Sequence, residues 1–352
     1  MECLTGRKKH LKRVKTCPSS GGGYVNKGGT IMTVNVPKYR LKDLVDKPVY
    51  FTGGHRLCAG CAAGSMARQV TMAFDKPTMI FNSTGCLEVA STIYPFSAWE
   101  VPWLHVAFEN SAAVASGVEA AIKAMTRKGT YKDGKTDIVV FGGDGGTYDI
   151  GIQAISGAFE RGHDLLYILY DNGAYMNTGI QRSGGTPFSA STTTSPAGSV
   201  IPGKTQFRKP ITDIMVAHRI PFVATAAPAY PADLIAKVRA GLDVEGPAFM
   251  HVECSCNRGQ RFEPEKSIEY VKMAVETCLH PLYTVIDGEY ALSRPSERIA
   301  KDPSRKVPLV EFLRKEGRWR HLFRPTERTD LIEKFQAEVD KRWEELLVKA
   351  GI

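Results

Sequence analysis

An aspartate set between glycine pairs, Gly142-Gly143-Asp144-Gly145-Gly146, follows directly on the apolar run Ile138-Val139-Val140-Phe141. At the end of a buried strand such an aspartate can give one hard oxygen to Mg²⁺. Its flanking glycines let backbone N–H groups approach a diphosphate with no Cβ in the way. Downstream, the apolar run Leu165 to Tyr170 delivers Asp171-Asn172, and the Asn172 amide can reach the same cation. Taken alone, GDGG also fits a tight strand-to-helix turn with Asn172 as a cap, since such turns are common in α/β proteins.

Sulfur is the second source of chemistry. The eight cysteines are Cys3, Cys17, Cys58, Cys61, Cys86, Cys254, Cys256 and Cys278. No apolar signal segment precedes the domain and no apolar run is long enough to span a bilayer, so the expected compartment is a reducing cytoplasm, where disulfides are disfavoured. Cys58-Ala59-Gly60-Cys61 by itself fits a zinc knuckle, a redox pair or half of an iron–sulfur site. Cys86 follows the run Thr78 to Phe81 and Cys256 follows Ala248 to Val252, so strand ends would present both thiols to one mouth of a sheet. Four thiolates gathered there suit a [4Fe–4S] cluster. Zinc is the alternative, although a Cys₄ zinc site usually shows two short CxxC pairs, and here the third and fourth thiols stand alone.

The elements that must position these groups alternate along the chain. Strands are predicted at Thr78–Asn82, Asp137–Gly142, Leu165–Tyr170, Pro221–Thr225 and Ala248–Cys254, and helices at Gly60–Phe74, Glu109–Arg127, Asp149–Arg161, Ile211–Ala217, Pro231–Leu242 and Ser267–Cys278. This alternation implies an α/β fold, a mostly parallel sheet with helices on both faces, and ligands gathered outside the carboxyl ends of the strands. Residues 179–210, rich in Ser, Thr, Gly and Pro, read as an irregular loop near the cofactor. Residues 326–349 carry Leu331, Phe335, Val339, Trp343 and Leu346-Leu347 at helical spacing, an amphipathic helix that packs on the domain or on a partner chain.

The 352 residues are 43% apolar, enough for a full α/β core. The formal charge of +9 is concentrated at the front, where residues 1–31 carry seven Lys and Arg against Glu2 alone. The body is close to balanced, so nucleic-acid binding is not expected. The basic leader has no apolar core and reads as a disordered extension, or as a start placed ahead of a true domain opening at Met32. The implied organisation is an extension over 1–31, an α/β domain over 32–310 and a helical C-terminal extension over 311–352.

The pairing of GDG with a downstream DN resembles the thiamine diphosphate fingerprint. Several longer words resemble the β subunit of pyruvate:ferredoxin oxidoreductase (pyruvate synthase) and its relatives among the 2-oxoacid:ferredoxin oxidoreductases. They are Tyr175-Met176-Asn177-Thr178-Gly179, Gln181-Arg182-Ser183-Gly184, GHRLCAGC at 54–61, STGCLEVASTIYP at 83–95, HVAFENSAAVASGVEAA at 105–121 and the terminal RWEELL. The likeness covers most of residues 50–345, and the first 31 have no counterpart.

The resemblance implies a thiamine-diphosphate-binding fold with Mg²⁺ held by Asp144, Asn172 and the Ala174 carbonyl. Cofactor contacts would run along Gly143, Asp144, Gly145, Gly146, Asn172, Gly173, Ala174, Tyr175, Met176 and Asn177, with Cys86 beside them. It also implies one [4Fe–4S] cluster on Cys58, Cys61, Cys86 and a late cysteine. Relatives read Pro-Cys at that last position where this chain has Cys254-Ser255-Cys256, and the offset from the preceding strand selects Cys256. Asn177 and Thr178 would stand at the reacting centre.

The glutamate that activates the cofactor would come from an α subunit, which also supplies most of the substrate pocket. Glu88 and Glu109 are read as structural. With γ and ferredoxin-like δ subunits, the implied reaction takes pyruvate, CoA and oxidised ferredoxin to acetyl-CoA, CO₂ and reduced ferredoxin, reversibly, in anaerobic metabolism. Oxalate, branched-chain 2-oxoacid and 2-oxoglutarate enzymes share the same half-site. Outside this class stand a zinc-containing non-redox decarboxylase and a non-catalytic assembly subunit.

Overall fold

The computed structural model of the chain describes residues 23–25, 31–198 and 200–352. The basic run Arg7 to Arg13, with Cys3 and Cys17, lies outside the described residues. Within the stretch expected to be unstructured, β1 (Gly23–Val25) pairs antiparallel with β2 (Ile31–Thr33).

The remaining strands build one sheet around the predicted apolar runs. β3 (Thr78–Ser83), β5 (Asp137–Gly143), β6 (Leu165–Asp171), β7 (Phe222–Ala226) and β8 (Pro247–Glu253) are buried along nearly their whole length, as central parallel strands must be. β4 (Trp103–Val106) adds a half-exposed edge, and the hairpin β9 (Tyr283–Ile286) and β10 (Glu289–Leu292) closes the other edge antiparallel. The order is β10-β9-β7-β8-β6-β5-β3-β4, eight strands with the six from β7 to β4 parallel.

Alternation along each strand feeds two apolar layers. Ile80, Val139, Leu166 and Met250 face one side, where they meet α1 (Ala62–Thr71) and α6 (Pro231–Asp243) through Met66, Val70, Leu234 and Val238. Phe81, Val140, Tyr167 and Phe249 face the other, where α3 (Ser111–Arg127), α4 (Ile152–Glu160) and α5 (Ile211–Ala217) contribute Ala115, Ile155, Phe159 and Met215. α3 lies close to the sheet because its inner face is small, with Ser111, Ala112, Ala115 and Ser116 buried.

The chain leaves β3 and β5 in opposite directions. α2 (Cys86–Ser91), after β3, buries Leu87 in the first layer, whereas α4, after β5, belongs to the second. β3 continues to β4 on one flank while β5 continues to β6 on the other. Such a reversal opens a crevice between the two carboxyl ends.

The C-terminal part packs on the second layer. α8 (Ser267–Glu276), after the short α7 (Asn257–Gln260), and α9 (Arg294–Lys301) and α10 (Leu309–Lys315) lead to α11 (Thr329–Lys349), which buries Ile332, Phe335, Val339, Trp343 and Leu346. Trp319, between α10 and α11, is fully buried against Phe312 and Phe335, and its indole N–H donates to the Phe188 carbonyl at 3.0 Å. Trp319→Ala should therefore lower stability by about 3–5 kcal/mol, the usual cost of emptying a large aromatic site. A fall in the urea midpoint with unchanged m-value checks this, and a wild-type midpoint would show that residues 311–352 are not part of this core.

Candidate active site

The crevice is lined by Thr84, Gly85 and Cys86 from the end of β3, by Gly143 to Gly146 from the end of β5, and by Asn172 and Ala174 to Thr178 after β6, with Phe108 and Tyr170 closing its sides. Asp144 is 2% exposed. The inward terminal atom of the Asn172 amide lies 3.2 Å from Asp144 Oδ1 and 2.9 Å from the Ala174 carbonyl oxygen. With nitrogen at that position the amide donates to both. With oxygen there, three hard donors converge on one point, as a Mg²⁺ seat requires.

Electrostatics favour a cation at this point. Burial, and then the neighbouring Asp171 carboxylate, push Asp144 well above the usual carboxylate range, while a hydrogen bond from the Ser183 hydroxyl opposes them. Asp171 is the opposite case. Burial works against its charge, but Arg208 and His251 with the Tyr148 hydroxyl prevail and hold it below the usual range. Tyr148 donates to Asp171 Oδ2 at 2.8 Å, His251 Nε2 lies 3.0 Å from the same oxygen, and Arg208 Nη1 is 3.7 Å away. Asp171 is thereby paired with cationic protein groups, whereas Asp144 is held by the neutral Ser183 hydroxyl.

The glycines do more than clear a path for a diphosphate. A Cβ on Gly145 would fall 2.2 Å from the Tyr175 ring, whose hydroxyl donates to the Gly145 carbonyl at 3.2 Å and to Asp149 at 3.0 Å. Gly145 thus seats Tyr175, and residues 145–150 leave the strand as a π-helical turn, a geometry frequent at functional sites. This turn occupies the start of the helix predicted from Asp149, so α4 begins only at Ile152. Asn177 and Thr178 are exposed at the groove mouth.

Three of the four selected thiols stand at helix starts. Cys61 caps α1, Cys86 is the first residue of α2, and Cys256 caps α7, its Sγ accepting from the Gly259 N–H at 3.5 Å. Helix N-termini favour thiolates. A bond from the Ala62 N–H to the Ser255 carbonyl, 3.3 Å, ties the CxxC turn to the Cys256 segment. The thiols lie within one another's fields: burial, then the charges of Cys256, Cys61 and Cys58, push Cys86 up to about 12. Burial, with Cys256 and Cys58 adding to it, pushes Cys61 up to about 11. Cys86 also feels Asp144, so the sulfur group and the cation seat share one mouth. Cys254 is buried in the apolar core, while Cys58 is exposed and Cys256 half-buried.

Residues 60–252 match the family model described as the thiamine pyrophosphate enzyme C-terminal TPP binding domain. The pyruvate synthase subunit PorB of Methanocaldococcus jannaschii is 52% identical over 295 residues, 83% of this chain and 95% of that one. PorB of Thermotoga maritima is 45% identical over 90% of this chain and 96% of its own length. The chain belongs to the PorB family. These are subunits of oxidoreductases acting on 2-oxoacids, and the matched region is a thiamine diphosphate domain. The ketoisovalerate oxidoreductase subunit VorB of Pyrococcus furiosus is 41% identical over 84% of this chain and 92% of that one. In fold, the chain is similar to 2-oxoglutarate:ferredoxin oxidoreductase from Magnetococcus marinus, with a TM-score of 0.50 and 22% identity over 59% of this chain and 66% of that one.

In this PorB-family chain the groove is backed by a buried ionic network that sequence reading missed. Arg208 donates from Nε to the Gly185 carbonyl at 2.7 Å and pairs through Nη1 with Glu253 at 3.2 Å. His251, Glu253 and His280 bring three potential metal-ligating atoms within 4.8 Å of one another, but the Arg208 guanidinium already fills the cationic role at Glu253. Lys204 ties the irregular loop together, its Nζ donating to the carbonyls of Ser183, Gly184 and Thr186 at 3.3, 3.2 and 2.6 Å. Of these residues only Ser183 and Gly184 lay in a word singled out from the sequence. Glu88 is buried on α2, 3.6 Å from His105, and Glu109 is exposed before α3; neither lines the groove. Among the described residues no helix is long and apolar enough to cross a membrane.

At the edge of this network Glu316 is 2% exposed and bonded to Arg318 at 2.5 Å. Burial pushes its carboxyl up to about 7 from an ordinary 4.5, with Arg318 opposing and Glu253 reinforcing the rise. Below the ordinary value both folded and unfolded chains hold this proton and its stabilisation is complete. Between the two values only the unfolded chain releases it, so stability falls as pH rises through the folded value, by roughly 3 kcal/mol in all. Glu316→Gln should remove that contribution and gain on wild type over this window. Urea unfolding of both proteins at stepped pH checks it, and a constant difference would mean that Glu316 is ionised throughout.

Proposed function

We propose that this chain is the cofactor-binding β subunit of a pyruvate:ferredoxin oxidoreductase, holding Mg²⁺–thiamine diphosphate and one [4Fe–4S] cluster in the same mouth of the sheet. The observation that carries the reading is the meeting of Asp144, the Asn172 amide and the Ala174 carbonyl beside Cys86 in one groove. When bound, thiamine diphosphate supplies the carbon nucleophile and electron sink for decarboxylating a 2-oxoacid, and the cluster accepts electrons singly.

The chain's own residues then have separable tasks. Asp144, Asn172 and Ala174 would hold the cation, and Gly145 and Gly146, which open the π-helical turn in the groove lining, would offer backbone N–H groups to the diphosphate. Asn177 and Thr178, exposed at the mouth, contact the substrate end of the cofactor. Cys58, Cys61, Cys86 and Cys256 hold the cluster. The sequence spacing supports iron over zinc, because Cys86 and Cys256 stand alone where a Cys₄ zinc site usually has a second CxxC pair.

Asp144 is the sole carboxylate lining the groove among the described residues, and the cation occupies it. A glutamate from an α subunit therefore activates the aminopyrimidine ring, and that subunit completes the substrate pocket. γ and ferredoxin-like δ subunits, CoA and ferredoxin complete the system. The high identity to PorB chains supports pyruvate, and the VorB likeness keeps branched-chain 2-oxoacids as the second reading.

Anaerobically purified chain should be brown with about four irons, and colourless zinc protein would reject the cluster. In the assembled oxidoreductase, Asp144→Ala should lose thiamine diphosphate and Mg²⁺ while keeping iron. Loss of all three together would mark Asp144 as a folding residue. Viologen reduction across pyruvate, oxalate, 2-oxoglutarate and branched-chain 2-oxoacids should favour pyruvate in kcat/KM.

A further inference from the structure

Arg318 comes from the C-terminal region, far in sequence from every cofactor motif, yet its side chain reaches the turn that follows β6. It is 3% exposed. Nε donates to Glu316, the guanidinium lies 4.2 Å from the Trp319 ring centroid, and Nη1 is sealed from solvent with no acceptor. Gly173, at φ +76°, makes room for it: a Cβ there would fall 2.8 Å from Nη1. On its other side the Gly317 N–H donates to the Arg261 carbonyl at 3.1 Å, which ties this segment to the end of α7, whose cap is Cys256. Gln260 completes the link. Its side chain accepts from the Cys256 N–H at 2.9 Å and donates to the Asn172 carbonyl at 3.1 Å.

A buried guanidinium with an idle N–H is costly, because the donor loses its water without gaining an acceptor. Glu316 offsets it only in part, since its carboxyl holds a proton up to about pH 7. The Gly317–Arg261 bond and the Gln260 bridge set that charge beside the segment that carries Cys256. Four thiolates around an iron–sulfur cubane make a net anion, and one-electron reduction adds a further negative charge without a proton or a bond. A fixed buried cation stabilises the reduced form more than the oxidised one, and nearby charge is among the determinants of cluster potential.

We propose that Arg318 is a positioning residue that holds its guanidinium between the Gly173 turn and the Cys256 segment and thereby raises the reduction potential of the cluster in this subunit. The proposal rests on the cluster reading given above. It assigns the C-terminal region a part in electron transfer as well as in packing.

The test is a redox titration of the anaerobic, fully assembled oxidoreductase, followed by electron paramagnetic resonance, with clusters on partner subunits as internal references. Arg318→Gln should reduce the equilibrium constant for reducing this cluster at least tenfold, a shift of about 59 mV to lower potential. Iron content and the partner clusters should not change. Arg318→Lys, which keeps the charge, should recover most of the loss. Glu316→Gln, measured at alkaline pH where the native carboxylate is charged, should move the potential the opposite way, and it decides the matter if Arg318→Gln fails to assemble. Unchanged potentials in variants that retain iron would overturn the proposal. Absence from the wild-type complex of any signal that Cys256→Ser removes would overturn the cluster reading itself.

Discussion

Asp171, a carboxylate with no exposure to solvent, fixes the shape of the cofactor turn. A buried charge persists only when paired and hydrogen-bonded. Asp171 receives Tyr148, His251 and the Gly173 N–H, the last at 2.9 Å, with Arg208 close by. The Gly173 bond matters most for geometry. It closes the chain into a turn immediately after β6, and Asn172 and Ala174, on either side of Gly173, are thereby aimed at Asp144. The two aspartates divide the work. One is paired with cationic groups of the protein and shapes the backbone, and the other, held by the neutral Ser183 hydroxyl, has a carboxylate form that a bound cation would favour.

The parallel sheet determines where this happens. Every crossover returns the chain to the same end, so the carboxyl termini of β3, β5, β6 and β8 bring Cys86, Asp144, Asn172 and Cys256 to one mouth although they are scattered along the sequence. A short helix or a π-helical turn follows β3, β5 and β8 there, and its free N–H groups favour anions. A diphosphate and a cluster of thiolates are both anionic. Under the proposed function the same backbone feature serves both groups.

Much of this was legible from the sequence. The five predicted strands lie within one or two residues of β3, β5, β6, β7 and β8, because strands buried on both faces read as unbroken apolar runs. β4 was missed because its exposed positions carry Leu104 and His105 without alternation. The hairpin β9–β10 did leave a signal, Asp287-Gly288, with φ of +50° and +88° as a tight hairpin turn demands. Short helices such as α2 and α7 are too brief for any periodicity. The motif residues could be singled out because each carries its chemistry in a local word. Arg208, His251, Glu253 and Arg318 were not, because what makes them special is a partner far away in sequence, as with Arg318 against Gly173.

The charge inventory of the groove bears on how the chain can act. Asp144 is the sole carboxylate among its described lining residues, and a carboxylate that neutralises a divalent cation has no basicity left for moving protons on the far end of the same cofactor. Glu88, committed to His105, and Glu109, exposed before α3, do not face it. Asn177 and Thr178, exposed at the mouth, can orient a ligand but do not ionise near neutral pH. A groove so equipped can hold the diphosphate end of thiamine diphosphate, and under the proposed function proton transfer at the ring falls to a partner chain.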